Sequence, residues 1–107
     1  MNEVDLGFAG RYHERHRLHS AIAALSPGDL LKVRVTETQR WELLDQDGNV
    51  VGRLAGGFTP PDGMRCLSVT VLAVVTRTRE LTEPQYQDSV KCDTWEVVVP
   101  ELVFGLL

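Results

Sequence analysis

The stretch Arg11–His19, RYHERHRLH, holds three arginines and three histidines in a chain whose net charge is −4. Imidazoles can ligate metal ions, and guanidiniums can hold phosphates. On a helix, His13, His16 and His19 would spread over about 120° of arc, so neighbouring pairs could share an ion but all three converge poorly. No nearby cysteine or carboxylate completes a tetrahedral set, so we expect no metal. The stretch is then either an ordinary solvated helix face or a face that contacts phosphates.

Further cations and two tryptophans extend this candidate site. Lys32 and Arg34 alternate with apolar residues, which predicts a strand with a cationic outer face. Trp95 alternates with valines and should point into the core, whereas Trp41 follows Gln39-Arg40 and could stack on a base, with core packing as its alternative. The candidate nucleic-acid-binding residues are Arg11, Arg15, Arg17, Lys32, Arg34, Trp41, Arg53, Arg77 and Arg79.

The sequence contains no convincing catalytic pattern. Neither a GxxxxGK[ST] phosphate loop nor a GxSxG motif occurs. The paired carboxylates Asp45 and Asp47 are accounted for by a hairpin turn, since Asp-x-Asp-Gly is favourable turn chemistry. Cys66 and Cys92 lie in predicted strands without a CxxC pair, which favours reduced structural thiols over a disulfide or redox role. We therefore expect a non-catalytic chain without a cofactor.

The charge of the chain is unevenly distributed. Residues 1–79 hold ten of the eleven lysines and arginines against nine acids, whereas residues 80–107 hold Lys91 against six acids. This asymmetry argues against a protein coated by nucleic acid but leaves room for a local basic patch. The acidic N-terminus and the absence of a long apolar run predict a cytoplasmic protein that does not contact a membrane.

The elements that must position these residues follow from periodicity. Leu18, Ile22 and Leu25 share one side of a helix over residues 10–25, which Pro27 ends. Period-two strands follow, with a hairpin turn centred on Asp47-Gly48. In the most apolar stretch, 64–78, the alternation changes phase at Leu72, which indicates a bend or bulge. The predicted core consists of Leu31, Val33, Val35, Leu67, Val69, Val71, Trp95, Val97 and Val99.

These patterns predict a single α+β domain over residues 1–107. We expect residues 1–9 to be flexible, residues 10–25 to form an N-terminal helix, and residues 30–104 to form a small five-stranded, partly open β-barrel of OB or SH3-like type. A last strand over 93–99 should stop at Pro100, or Pro100 should lie on a sheet edge.

Two stretches carry a family resemblance. Trp41–Leu54, WELLDQDGNVVGRL, resembles the hairpin of HIRAN domains, in which a turn glycine (here Gly48) precedes a Val-Gly pair (here Val51-Gly52) and an apolar residue. GRLAGGFTPPDGMRC and CDTWEVVVPELVF resemble the C-terminal accessory region of bacterial RecQ-family ATP-dependent DNA helicases, over residues 11–104. The Asn-x-Tyr-Asp approach of HIRAN domains is replaced by QRWE, so their DNA-end residues are not carried over.

The resemblance implies an appendage of a helicase and not its motor. We expect a non-catalytic nucleic-acid-binding accessory domain of a helicase-like DNA repair or recombination protein, either detached from a longer helicase or a stand-alone relative. Its partners would be single-stranded or end-bearing DNA and helicase motor domains in cis or in trans. The alternative is a protein-interaction or dimerisation module that uses the apolar segment VVVPELVFGLL.

Overall fold

The computed structural model describes residues 3–107. Within this range the chain forms the helix α1 (Arg17–Ala23) and the strands β1 (Leu30–Val35), β2 (Trp41–Leu44), β3 (Val50–Arg53), β4 (Met64–Thr78) and β5 (Thr94–Leu106). Short 3₁₀ turns lie at Ala9–Arg11, Arg79–Leu81 and Pro84–Ser89. In this part of the chain no helix has the length and apolar character needed to cross a membrane.

The five strands form one antiparallel sheet in the order β3-β2-β1-β4-β5, curled into a half-barrel. The edges of the sheet are β3 and β5. α1 packs against both edge strands, and the turn Ala9–Arg11 packs against β5, so helical segments cover the opening between the edges. The predicted α+β fold with a small, partly open five-stranded barrel is confirmed.

Irregular pairing bends the long strands β4 and β5. Val71 pairs with Pro100 and Ala73 with Val99, which leaves Leu72 between them as an extra, exposed residue. The phase change predicted at Leu72 is therefore a β-bulge. β5 continues through Pro100 to Leu106, because a proline is tolerated on an edge strand.

The helix is shorter than the predicted 10–25. His16 has extended backbone (φ −63, ψ 137), and its Nδ1 accepts a hydrogen bond from the N–H of Leu18, which makes it the N-cap of α1. Leu18 and Ile22 are the buried residues of this helix. The apolar stripe thus begins only at Leu18, and residues 12–15, which are all exposed, add nothing to it. His13 precedes the helix, so the expected helical arc of three histidines does not form.

The N-terminal segment is packed where residues 1–9 were expected to be flexible. Met1 and Asn2 lie outside the described residues, but Val4 forms a β-bridge with Leu54, and Phe8 and Ala9 are buried. A Cβ placed on Gly10 would lie 2.6 Å from the ring of Trp95, so the glycine lets the chain lie flat on the indole. Phe8 and Ala9 thereby reach the core, which corrects the expectation for residues 3–9.

Most of the predicted core is buried, with two exceptions. Leu31, Val69, Val71, Trp95 and the valines 97–99 are buried, and Val33 packs against them. Val35 and Leu67 are exposed to 47% and 55%. Both were expected in the core because they continue the alternation of their strands. β1 and β4 separate before Val35, and the register shift between Cys66 and Ser68 leaves Leu67 as an extra residue of β4.

Candidate nucleic-acid interface

Three guanidiniums surround the carboxylate of Asp5. Its Oδ2 accepts hydrogen bonds from Arg53 Nε at 3.1 Å and Nη2 at 2.8 Å and from Arg11 Nη2, and Arg40 Nη2 lies 3.5 Å away. The Asp5 side chain is 14% exposed, and the arginines are about a third exposed or less. Arg11 and Arg53, both predicted to contact nucleic acid, are therefore engaged inside the protein.

The electrostatics of Asp5 follow from this arrangement. Burial raises the pKa of the Asp5 carboxyl, but hydrogen bonds from Arg11 and Arg53 and the charges of both outweigh burial, so this pKa lies below its ordinary value. The backbone N–H of Asp5 also donates to the carbonyl of Arg53, at 2.9 Å. The carboxylate holds the N-terminal segment against β3, a structural role that the sequence patterns did not indicate.

Two further predicted cations have acidic partners. Arg34 donates to Glu42 Oε1 from Nε and from Nη2, at 3.0 and 2.7 Å, across the β1–β2 ladder. Arg79 Nε lies 3.4 Å from Asp93 Oδ1, and its Nη1 donates to the carbonyl of Gln87. Neutralised in this way, these side chains attract phosphate less than an isolated arginine would.

The remaining predicted cations have no ion pair among residues 3–107; they are Arg15, Arg17, Lys32 and Arg77. Arg77 lines a pocket of about 410 Å³ beside Arg11 and Trp95, and its Nε is buried without a hydrogen-bond partner in the described part of the chain. Lys32 and Arg15 are exposed. The nine predicted residues are therefore spread over several surfaces and form no single patch.

One surface does bring predicted residues together. Arg17 and Arg34 line a pocket of about 340 Å³ with Tyr12 and His16, beside Asn49 in the β2–β3 turn. We call these five residues the Tyr12 pocket. The rings of Tyr12 and His16 are 4.9 Å apart, and Phe8 lies 5.2 Å behind Tyr12. An aromatic pair that shares a pocket with two guanidiniums can stack on a planar base and hold a phosphate.

Local folding explains how the Tyr12 pocket forms. The capping bond from His16 to Leu18 fixes the imidazole at the start of α1 and places Arg17 in its first turn. α1 also packs against β3, the strand that follows the hairpin turn. This contact places the turn residue Asn49 at the edge of the pocket. Tyr12 was missed as a binding residue; its occurrence among three arginines was the available signal.

Trp41 does not share this pocket. Its ring packs edge-on against Phe58 at 5.3 Å, and it lines a different groove with Leu31 and Val33. The tryptophan is partly buried. Core packing, the alternative given for Trp41 in the sequence analysis, thus accounts for its position. Tyr12 replaces Trp41 as the candidate ring for stacking on a base.

One histidine lies beside a cysteine in the fold. No group of three metal-ligating side chains occurs among the described residues. His19 Nε2 lies 3.8 Å from Cys92 Sγ, a proximity that the sequence did not suggest. Burial raises the pKa of the Cys92 thiol, helped by Glu14, and the thiol donates to the carbonyl of Tyr12.

Comparisons of the chain with known protein families, with curated proteins and with solved structures found no match.

Proposed function

We propose that the chain is a non-catalytic nucleic-acid-binding accessory domain, which serves a helicase-like protein of DNA repair or recombination. The observation that carries this proposal is the Tyr12 pocket, which the rings of Tyr12 and His16 line together with Arg17 and Arg34. Arg17 has no acidic partner among the described residues, so its charge is available to a phosphate. The resemblance to RecQ-family accessory regions and HIRAN hairpins supports the same function.

The charge balance limits how tightly such a domain binds. Four of the predicted cations already face a carboxylate, and the net charge of −4 opposes the approach of a polyanion. We expect a short single-stranded oligonucleotide to bind with a Kd on the order of 10 μM or weaker at low salt. Weak binding of this kind suits a module that acts beside a motor domain.

Fluorescence anisotropy with a labelled single-stranded oligonucleotide tests the proposal at low and high salt. Tyr12→Ala should weaken binding by about 1–3 kcal/mol if a base stacks on the ring. Arg17→Gln should weaken binding and reduce the salt dependence by about one phosphate contact. Arg65→Gln is the matched control, because Arg65 is exposed and lies outside the Tyr12 pocket. No binding of the wild-type chain at low salt would eliminate the proposal.

A second candidate function is protein interaction through the apolar C-terminal segment. Val103, Leu106 and Leu107 are exposed to 43%, 78% and 86%, at one end of the β4–β5 ribbon. Apolar docking is insensitive to salt, whereas phosphate binding collapses as salt rises. Sedimentation at low and high salt, comparing wild type with Leu106→Gln, separates self-association through this segment from oligonucleotide binding.

A further inference from the structure

β1 and β4 separate after only a short stretch of pairing. Their last pair joins Leu31 to Val69. Beyond it, β1 stays paired with β2 as far as Val35, and β4 stays paired with β5 as far as Met64. Each strand keeps its other neighbour, so the separation leaves two strand edges facing a gap. No pair crosses this gap in residues 3–107.

The free backbone groups in the gap can be identified on β1. The N–H of Thr36 donates to the carbonyl of Arg40, on the β2 side of the strand. Backbone groups of successive residues in an antiparallel ladder point alternately to the two sides. The N–H and C=O groups of Val33 and Val35 therefore face the gap. A free edge of this type is a template for pairing with another extended chain.

A groove without charged side chains lies in the gap beside these backbone groups. It has a volume of about 350 Å³ and is lined by Leu31, Val33, Trp41, Cys66, Leu67, Ser68 and Val69. Val35, at the end of β1, is exposed as well. No charged side chain lines the groove, so its interior suits apolar side chains and not a phosphate backbone.

Two cationic side chains lie level with the groove on the opposite face of the sheet. Lys32 alternates with Leu31 and Val33, and Arg65 alternates with the groove residue Cys66, so both cations lie on the face opposite the groove. Both are exposed and have no ion pair in the described chain. On the β2 side, Glu42 already lies opposite Arg34. Acidic side chains on the same face of a strand added at the gap would pair with Lys32 and Arg65 in the same cross-strand manner.

We propose that the gap between β1 and β4 binds an extended peptide segment of a partner protein, which adds to the edge of β1. Its apolar side chains would enter the groove, and alternate acidic side chains would face Lys32 and Arg65. An extended peptide fits better than nucleic acid because only another backbone offers donors and acceptors at the spacing of a β-ladder. The Tyr12 pocket shares no residue with this groove, so the proposal does not depend on nucleic-acid binding.

The test uses the full chain and a capped seven-residue peptide in which valine alternates with glutamate. Titration followed by NMR should give a Kd on the order of 100 μM, because a small interface must order a flexible peptide. At saturation, the amide protons of Val33 and Val35 should exchange with solvent at least about tenfold more slowly, since they enter new hydrogen bonds. Unchanged exchange at both amides would overturn the proposal.

Two peptide controls and one pair of variants separate strand addition from general stickiness. The same peptide with alternate N-methylated amides cannot donate to the edge of β1 and should not bind. Lys32→Glu should weaken binding of the glutamate peptide about fivefold, because one exposed ion pair is lost. The same variant should bind more tightly to the analogous peptide in which lysine replaces glutamate. Lys91→Glu, the same change at an exposed site away from the groove, should alter neither. Equal binding of the N-methylated peptide, or displacement of the peptide by an oligonucleotide, would contradict strand addition.

Discussion

The guanidinium of Arg53 donates two hydrogen bonds to one oxygen of Asp5, from Nε at 3.1 Å and from Nη2 at 2.8 Å. The contact joins the N-terminal segment to β3, and Arg53 also lies over the ring of Phe8, 5.6 Å from its centre. Phe8 in turn contacts Tyr12. The ion pair therefore anchors the row of rings that leads to the Tyr12 pocket, and it links the stability of the N-terminus to the candidate function.

We expect Asp5→Asn to destabilise the fold by about 2–3 kcal/mol. The change leaves Arg11, Arg40 and Arg53 close together without their shared counter-charge. The cost is below that of a fully buried pair, because each arginine is partly exposed and solvent screens the remaining charge. Urea denaturation followed by tryptophan fluorescence measures it.

Asp62→Asn is the matched control for that change. Asp62 lies in an exposed part of the loop before β4 and has no ion pair among the described residues. Asp62→Asn removes the same charge as Asp5→Asn but breaks no ion pair among the described residues. It should therefore change the free energy of unfolding by less than about 0.5 kcal/mol. Similar losses at both positions would mean that net charge, and not the arginine cluster around Asp5, decides the effect.

The same carboxylate predicts the acid sensitivity of the fold. Burial raises the pKa values of Asp5 and Asp45, but hydrogen bonds to each carboxylate outweigh burial and lower both below their ordinary values. Carboxyls with a lowered folded-state pKa add stability above the unfolded-state value, and this stability is lost as pH falls through the folded-state value. Unfolding should therefore become easier below about pH 4, and only weakly pH-dependent between pH 5 and 7. In the Asp5→Asn variant, the urea concentration at the midpoint of unfolding should fall less steeply than in wild type as the pH drops below about 4.

Local sequence patterns predicted the sheet better than its edges. The Asp47-Gly48 turn and the bulge at Leu72 follow from turn chemistry and from the change of alternation, both of which are short-range signals. The separation of β1 from β4 depends on how two distant strands bend, and it exposes Val35 against its pattern. Leu67 is exposed as well, at the register shift between Cys66 and Ser68. The predicted helix was too long, because the charged residues before His16 are compatible with a helix but do not require one.

The candidate site was predictable only in part. Arg17 and Arg34 were identified by residue type, and the structure brings them into one pocket. Arg11 and Arg53 were identified in the same way, but both are bound to Asp5. The contact between Arg53 and Asp5 spans 48 residues, and because no local pattern reports such a contact, this partner could not be read from the sequence.

The hairpin gives a prediction about backbone conformation. Gly48 has φ +87 and nothing lies within 4 Å of a Cβ placed there, so Gly48→Ala costs conformational energy without a clash. We expect a loss of about 1 kcal/mol. Gly56→Ala is the control, because Gly56 has no positive φ and only ordinary contact with Arg40. Gly63 cannot serve, since its φ is +73. Equal losses at Gly48 and Gly56 in urea denaturation would contradict the turn geometry.

The start of α1 gives the last prediction. His16→Ala removes the acceptor that bonds the N–H of Leu18, and we expect a loss of about 1 kcal/mol in stability. His16→Asn supplies another side-chain acceptor at the N-cap and should recover most of that loss, although it removes the ring contact with Tyr12. If the histidine acts only as a cap, both the stability and the oligonucleotide affinity of the asparagine variant should match those of wild type. If the ring pair also holds a base, urea denaturation should show recovered stability while anisotropy shows weaker binding. Equal destabilisation by alanine and asparagine would show that the imidazole contributes packing and not a cap.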